Sequence, residues 1–392
     1  MTLVRMFISA FLLIWMSSAQ ADQLRGTGDL GIVIERATGS LVIVDTSDHK
    51  ILSRVEGLGD VSHASAVFSR DQRYAFVFGR DGGLSKIDLL KGTLVKRILQ
   101  AGNSIGGAIS DDGALVAVSN YKPGGIKVFN AETLEQVADI PTPYGADGEL
   151  SKTVGLVDAP GRHFLFTLYD AGEIWMADFS RPGAPKVNKL GKTGRLPYDA
   201  LITGDGRHYI AGLFGEDGLA HIDLWASEPK VRTILPNYGR GQKKLPVYKM
   251  PHLEGWAEAA GRFILPAVGL HQLLAVDSQT FEPVGTVKVH SQPIFAVARP
   301  DGRHVWVNFA HPDNDTIQVV DVQSLKVIHE FRPGPAALHM EFTPRGHQVW
   351  LSVRDSDEVH IYDTRTFKKL GALSVRKPSG IFFSARATRI GL

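Results

Sequence analysis

The chain has 392 residues, 43 Lys and Arg against 41 Asp and Glu, a formal charge of +2 and no cysteine. Near-neutrality removes the electrostatic case for a nucleic-acid or membrane-surface partner. The missing cysteines exclude disulfides, thiolate zinc sites, thioether-linked haem and a lipid-anchored cysteine after a signal.

Residues 1–21 are expected to be a cleavable signal peptide. Arg5 supplies the positive start, Met6 to Met16 is an almost unbroken apolar stretch too short to span a bilayer, and Ala19-Gln20-Ala21 is a small-x-small cleavage site. No later stretch reads as a transmembrane segment, so the mature chain, 22–392, is expected to be exported and soluble.

From there one phrase recurs: a tight turn, an apolar strand, a loop, then a strand ending in Asp or Asn. The second strands of this phrase begin at Leu41, Leu84, Ile126, Ile174, Leu219, Leu273, Ile317 and Val359, at spacings of 43, 42, 48, 45, 54, 44 and 42 residues. Each is followed by a turn and a further short β-run, and most are preceded by a turn such as Asp205-Gly206-Arg207 or Asp301-Gly302-Arg303. Asp and Gly suit these turns through side-chain-to-backbone bonds and positive φ. Four short strands per repeat of this length make one propeller blade, and no helical period competes with them. The fold class is therefore all-β, a single eight-bladed β-propeller. Its N-terminal strands, Gly31–Glu35 and Leu41–Asp45, lack an inner strand, and Gly380–Ser384 supplies one from the C-terminus, closing the ring.

In such a ring the hairpin turns face one side, and the blade-to-blade loops face the other, together with the loops between each blade's second and third strands. His163, His208, His304 and His347 fall at hairpin turns and read as solvated turn residues. The blade-to-blade loops carry His63, Lys152, Arg195 with Tyr198, His252, His290 and His339, so four histidines converge on one mouth of the channel. Arg80 joins them from a loop between a blade's second and third strands, just ahead of the repeated strand that begins at Leu84. Guanidinium and ammonium groups suit a ligand with several carboxylates, and a neutral imidazole suits haem-type iron, so the mouth fits a polycarboxylated tetrapyrrole better than a sugar. The insertion 237–251, basic at Arg240, Lys243, Lys244 and Lys249, reads as a lid, a docking loop or a plain surface excursion.

The stretch Gly57–Leu90, with His63 ahead of Tyr74–Gly83 and Lys86–Leu89, resembles the heme d1 domain of cd1 nitrite reductase. Ala171–Trp175, Arg195–Asp199 and Glu341–Val353 resemble it too, and the likeness covers nearly the whole mature chain. Length, signal and lack of a second domain place the resemblance with the single-domain heme d1 biosynthesis proteins of denitrifying bacteria. The resemblance implies a periplasmic location and heme d1, or its dihydro precursor, as bound ligand, with no covalent heme c. It puts His63 at the axial ligand of the tetrapyrrole iron, with Arg80, Lys152, Arg195, His290 and His339 as further ligand-binding residues. Tyr198 falls where the reductase family has a distal catalytic histidine and His252 near a second one, so these two are the implied catalytic residues. Losing one distal histidine argues against nitrite reduction. Cd1 nitrite reductase and the heme d1 dehydrogenase NirN are the implied partners. Two roles stay open, an oxidoreductase acting late on a d1 precursor and a non-catalytic carrier or assembly platform. Fold alone would give a third, a generic binding scaffold.

Overall fold

A computed structural model describes residues 25–181, 183–238 and 255–385. The expected signal peptide 1–21, His252 and nearly all of the 237–251 insertion lie outside these residues.

Eight four-stranded antiparallel sheets form the ring, with one two-stranded hairpin added between Pro143–Tyr144 and Glu149–Leu150. We number the blades from the one that joins the chain's two ends. The eight repeated strands that stand out in the sequence are the third strands of the eight blades. The acid that ends each of them serves the turn into the fourth strand. Asp45 accepts from the backbone N–H groups of Ser47 and Asp48, Asp277 from those of Gln279 and Thr280, and Asp363 from those of Arg365 and Thr366. The carboxylate thereby satisfies donors that the turn would otherwise leave to water. Asn130 of blade 3 does the same for Glu132 and Thr133, which is why an amide substitutes there.

Closure is as the sequence implies. Blade 1 is built from Leu30–Glu35, Ser40–Asp45 and Lys50–Val55, with Pro378–Phe383 added antiparallel as the inner strand. The seam is fastened beyond its ladder. Glu35, fully buried, accepts from Arg54, from the Ser40 hydroxyl and from the backbone N–H of Arg376. Burial alone would raise its pKa, but these donors hold it below the ordinary carboxylate range. Trp350 of blade 8 meets Phe383 edge-on, with ring centroids 5.5 Å apart.

The core lies between blades. Second and third strands are buried on both faces, as at Leu30–Glu35 and Ser40–Asp45, because each sheet is sandwiched by its neighbours. Trp306, Phe76, Phe166 and Phe309 are fully buried there, each contributing about 1.5–3 kcal/mol by leaving water. Outer strands alternate, as in Lys326–Phe331, because one face meets solvent.

Candidate functional site

The inner strands are not regular. In blades 1, 3, 4, 5, 7 and 8 the pairing with the second strand slips by one residue, leaving an extra residue on the inner strand. The slips fall at 378–381, 104–106, 154–157, 197–200, 293–296 and 337–340. A bulge re-aims side chains and bends its strand. Here the bulge residues Gly155, Tyr198, Asp199, Phe295, His339 and Gly380 all line one central cavity of about 360 Å³. That size is within the range of ordinary small-molecule sites.

The bulged backbone loses ladder partners, and buried polar side chains on the second strands replace them. Asn308, fully buried, accepts from the Phe295 N–H at 2.9 Å and donates Nδ2 to the Leu338 carbonyl at 2.5 Å, serving bulges on two adjacent blades. Ser352 accepts from the His339 N–H, Thr167 donates to the Tyr198 carbonyl, and Ser119 donates to the Gly106 carbonyl. Three of these residues stand at one recurring place, where an apolar second strand turns polar one residue before its apolar end: Phe-Thr167-Leu, Val-Asn308-Phe, Leu-Ser352-Val. Gly155 is needed for the same packing. Its φ is +53°, and a Cβ there would stand 2.8 Å from the Tyr198 carbonyl oxygen.

His63, half-buried, lines the cavity from the loop entering blade 2, with Ser62, Ala64 and Ser65 beside it. Arg36 lines the same wall from the loop after the second strand of blade 1. Burial pushes its pKa down, and the neighbouring Arg354 adds to this, against opposing pulls from Asp60 and Asp355. A basic group kept partly dry beside a histidine is well placed for an anionic substituent of a ligand. Trp256, Phe295 and Phe382 give the cavity flat aromatic walls, and Phe295 and His339 lie against one another with centroids 5.3 Å apart.

Tyr198 is mostly buried between Tyr169 and Phe214. The Tyr121 hydroxyl donates to the Tyr198 hydroxyl oxygen at 2.8 Å, which orients the Tyr198 O–H as a donor. Burial raises the pKa of both phenols, so both stay protonated at neutral pH. Arg80 is half-buried and near enough for its charge to oppose that rise in both tyrosines.

Of the sequence-expected residues, the structure brings His63, Tyr198 and His339 to one cavity, with Arg80 close to the tyrosine pair. Lys152, Arg195 and His290 are placed differently. Lys152 is held by Asp170 at 2.5 Å and lies over the Tyr169 ring. Arg195 is exposed and paired with Glu216 at 3.2 Å, and His290 is exposed with its ring edge-on to Phe309. None of the three is among the cavity walls. Arg36, the aromatic walls and the bulge supports are not evident from sequence reasoning alone. Arg36 occupies the same loop type as Arg80, which is the one signal that points to it. Among the described residues no cluster of three or more His, Asp or Glu is arranged to hold a metal ion, and no helix is long and apolar enough to cross a membrane.

An eight-bladed ring with a bulge-opened central cavity, lined by His63, His339 and Arg36, defines a propeller with a small-molecule site on its axis. Residues 25–387 match the cytochrome D1 heme domain, and the chain belongs to that family. It is 57% identical to Protein NirF of Stutzerimonas stutzeri over 378 residues, covering 96% of this chain and 97% of that one. It is 58% identical to Protein NirF of Pseudomonas aeruginosa over 375 residues, covering 95% and 96%. A solved structure of the dihydro-heme d1 dehydrogenase NirN in complex with DHE superposes with a TM-score of 0.79 at 26% identity, covering 93% of this chain and 77% of that one.

Proposed function

We propose that this protein acts in heme d1 biosynthesis in the periplasm, binding a late d1 precursor of the dihydro-heme d1 type in the central cavity. The observation that carries the reading is the convergence of His63, Arg36, Tyr198 and His339 on one bulge-opened cavity. The likeness to NirF and to a dehydrogenase of dihydro-heme d1 supports the choice of ligand.

The walls fit a macrocycle. Small residues at Ser62, Ala64, Gly106 and Gly155 leave room where larger side chains would close the channel, and aromatic faces offer stacking surface. His63 would hold the iron through an imidazole nitrogen, and the bound tetrapyrrole would supply the redox chemistry. Carboxylate recognition falls first on Arg36 and Arg80, because Asp170 and Glu216 already neutralise Lys152 and Arg195. Tyr198, kept protonated by burial and oriented by Tyr121, would donate a hydrogen bond or a proton on the opposite side from His63, with His252 as a second candidate donor. His339 would steady the ligand against Phe295. His290, Lys152 and Arg195 would meet only substituents that extend past the cavity.

Whether the step is an oxidation or a hand-over to cd1 nitrite reductase or NirN separates two versions of this function. Turnover of a dihydro-heme d1 substrate by the purified protein with an added electron acceptor is expected for the enzyme. Unchanged substrate, released intact to NirN, is expected for the carrier. Both versions require His63: His63→Ala should remove the absorption band of histidine-ligated d1, and an unchanged spectrum would exclude it as ligand.

A further inference from the structure

On the opposite face, where the hairpin turns of blades 6, 7 and 8 come together, lies a second and more open cavity of about 940 Å³. Its walls carry four guanidiniums, Arg262, Arg299, Arg303 and Arg365, against two carboxylates, Asp301 and Asp321.

The repeat supplies its own comparison. In blades 2 and 5 the arginine at the end of the first hairpin turn folds back onto the terminal aspartate of the third strand: Arg73 on Asp88 at 2.8 Å, Arg207 on Asp223 at 2.7 Å. Blade 7 has the same two residues, Arg303 and Asp321, at the same places, since His304 pairs with Asp321 as His208 pairs with Asp223. Yet the pair is not made. The Arg303 side chain stands 78% exposed, and the carboxylate it approaches is Asp301, at 3.9 Å. In blade 6 the arginine falls one residue later: Arg262 itself stands opposite the third-strand aspartate Asp277, and it donates to the Val322 carbonyl of blade 7. Arg365 has no ion pair among the described residues.

The two carboxylates do not compensate. Asp321 is used by the N–H and hydroxyl of Ser324, and Asp301 accepts from the Arg303 N–H while Arg299 stands 3.4 Å away. His304 also lines the cavity, and its Nδ1 is buried without a hydrogen-bond partner among the described residues. It is not the solvated turn residue that its position in the sequence implies. Guanidiniums gathered at one wall without matching acids repel each other. Their planar forks match the oxygens of carboxylates and phosphates.

We propose that this cavity is a binding site for a small molecule bearing two or more carboxylate or phosphate groups, separate from the central cavity and independent of tetrapyrrole binding. Arg262 and Arg303 grip the anionic groups, Arg365 closes the site from the turn of blade 8, and Arg299, tied to the Gly346 carbonyl, fixes the floor.

The test is calorimetric titration of the mature full-length chain with citrate and, separately, with inorganic pyrophosphate, at physiological salt to screen non-specific attraction. Two double variants are compared. Arg262→Gln/Arg303→Gln strips the cavity, and Arg73→Gln/Arg207→Gln removes as many charges from the same face outside it. The expected result is that at least one probe binds the wild type and the outside variant alike and binds the cavity variant about tenfold or more weakly. Tighter citrate binding would identify a polycarboxylate site, tighter pyrophosphate binding a phosphate site. No binding to the wild type, or equal weakening in both double variants, would overturn the proposal. Should the cavity variant melt early, Arg365→Gln, on an exposed turn, takes its place with the same expectation.

Discussion

The two faces of the ring treat their basic residues in opposite ways. At the mouth, Lys152, Arg195 and Arg354 are each paired with an acid, while Arg36 and Arg80 stand beside the central cavity with no ion pair among the described residues. On the hairpin face the turn arginine pairs with the third-strand aspartate in blades 2 and 5, turns to Asp112 of the neighbouring blade in blade 4, and in blade 7 leaves that aspartate without an ion pair among the described residues. Sequence position is therefore a poor guide to whether a charge is available. Availability is decided by which partner lies across the loop, and the exceptions within a repeat are more informative than its rule.

Four experiments would break or sharpen this contrast. The largest effect belongs to the mouth: His63→Ala is expected to abolish the ligand band of bound d1 while leaving the fold intact, read by absorbance and circular dichroism together. Next comes the buried scaffold. Asn308→Leu should strand the Phe295 N–H and the Leu338 carbonyl, costing about 1–3 kcal/mol for each group left unsatisfied. It should weaken tetrapyrrole binding as well, because two bulges lose their support. A stability loss with unchanged affinity would mean that the bulges do not position the site.

A pH effect arises from Asp158, on the inner strand of blade 4. Burial pushes its pKa up to about 7, only partly offset by Arg70, and its Oδ2 has no hydrogen-bond partner among the described residues. Between about pH 4 and 7 the folded protein keeps a proton that the unfolded chain releases, so this residue lowers stability as pH rises through that window. Asp158→Asn should therefore be more stable than the wild type at pH 8, and the difference should vanish near pH 4. Urea melts at the two pH values would show it. The smallest effect is on the hairpin face: Arg207→Gln should lower the melting temperature slightly through loss of Asp223, whereas Arg303→Gln should leave it unchanged. Equal shifts would erase the distinction between paired and unpaired turns.

Much of the architecture is legible in the sequence because a propeller blade is a local object. Each third strand, its terminal aspartate and the turn after it are set by residues within a few positions of one another, so eight copies can be counted. The closing strand is legible for the same reason, since Gly380–Ser384 reads as an inner strand without a blade. The site is only partly legible. His63, Tyr198 and His339 are found from their place at the entry to an inner strand, which topology sends to one mouth, although Tyr198 and His339 lie on the bulged strands themselves rather than in loops. Arg36 sits in an equivalent loop of blade 1, but it precedes the first of the eight repeated strands, so a count that starts from those strands misses its loop. The bulges cannot be read as such, because a one-residue slip depends on pairing across strands. Their trace is nevertheless present in Thr167, Asn308 and Ser352, polar residues set into otherwise apolar strands at one recurring position. The fates of Lys152 and Arg195 depend on Asp170 and Glu216 across neighbouring loops, a matter of three-dimensional placement.

The central claim, that the bulge-opened cavity is a site for d1-type tetrapyrroles, is tested most directly by titrating the purified mature protein with heme d1 beside heme b and following absorbance. Stoichiometric binding of heme d1 with a histidine-ligated spectrum, clearly tighter than heme b and lost in His63→Ala, is the predicted result. Absence of binding, or equal weak binding of both macrocycles, would contradict it and reduce the family likeness to a shared fold.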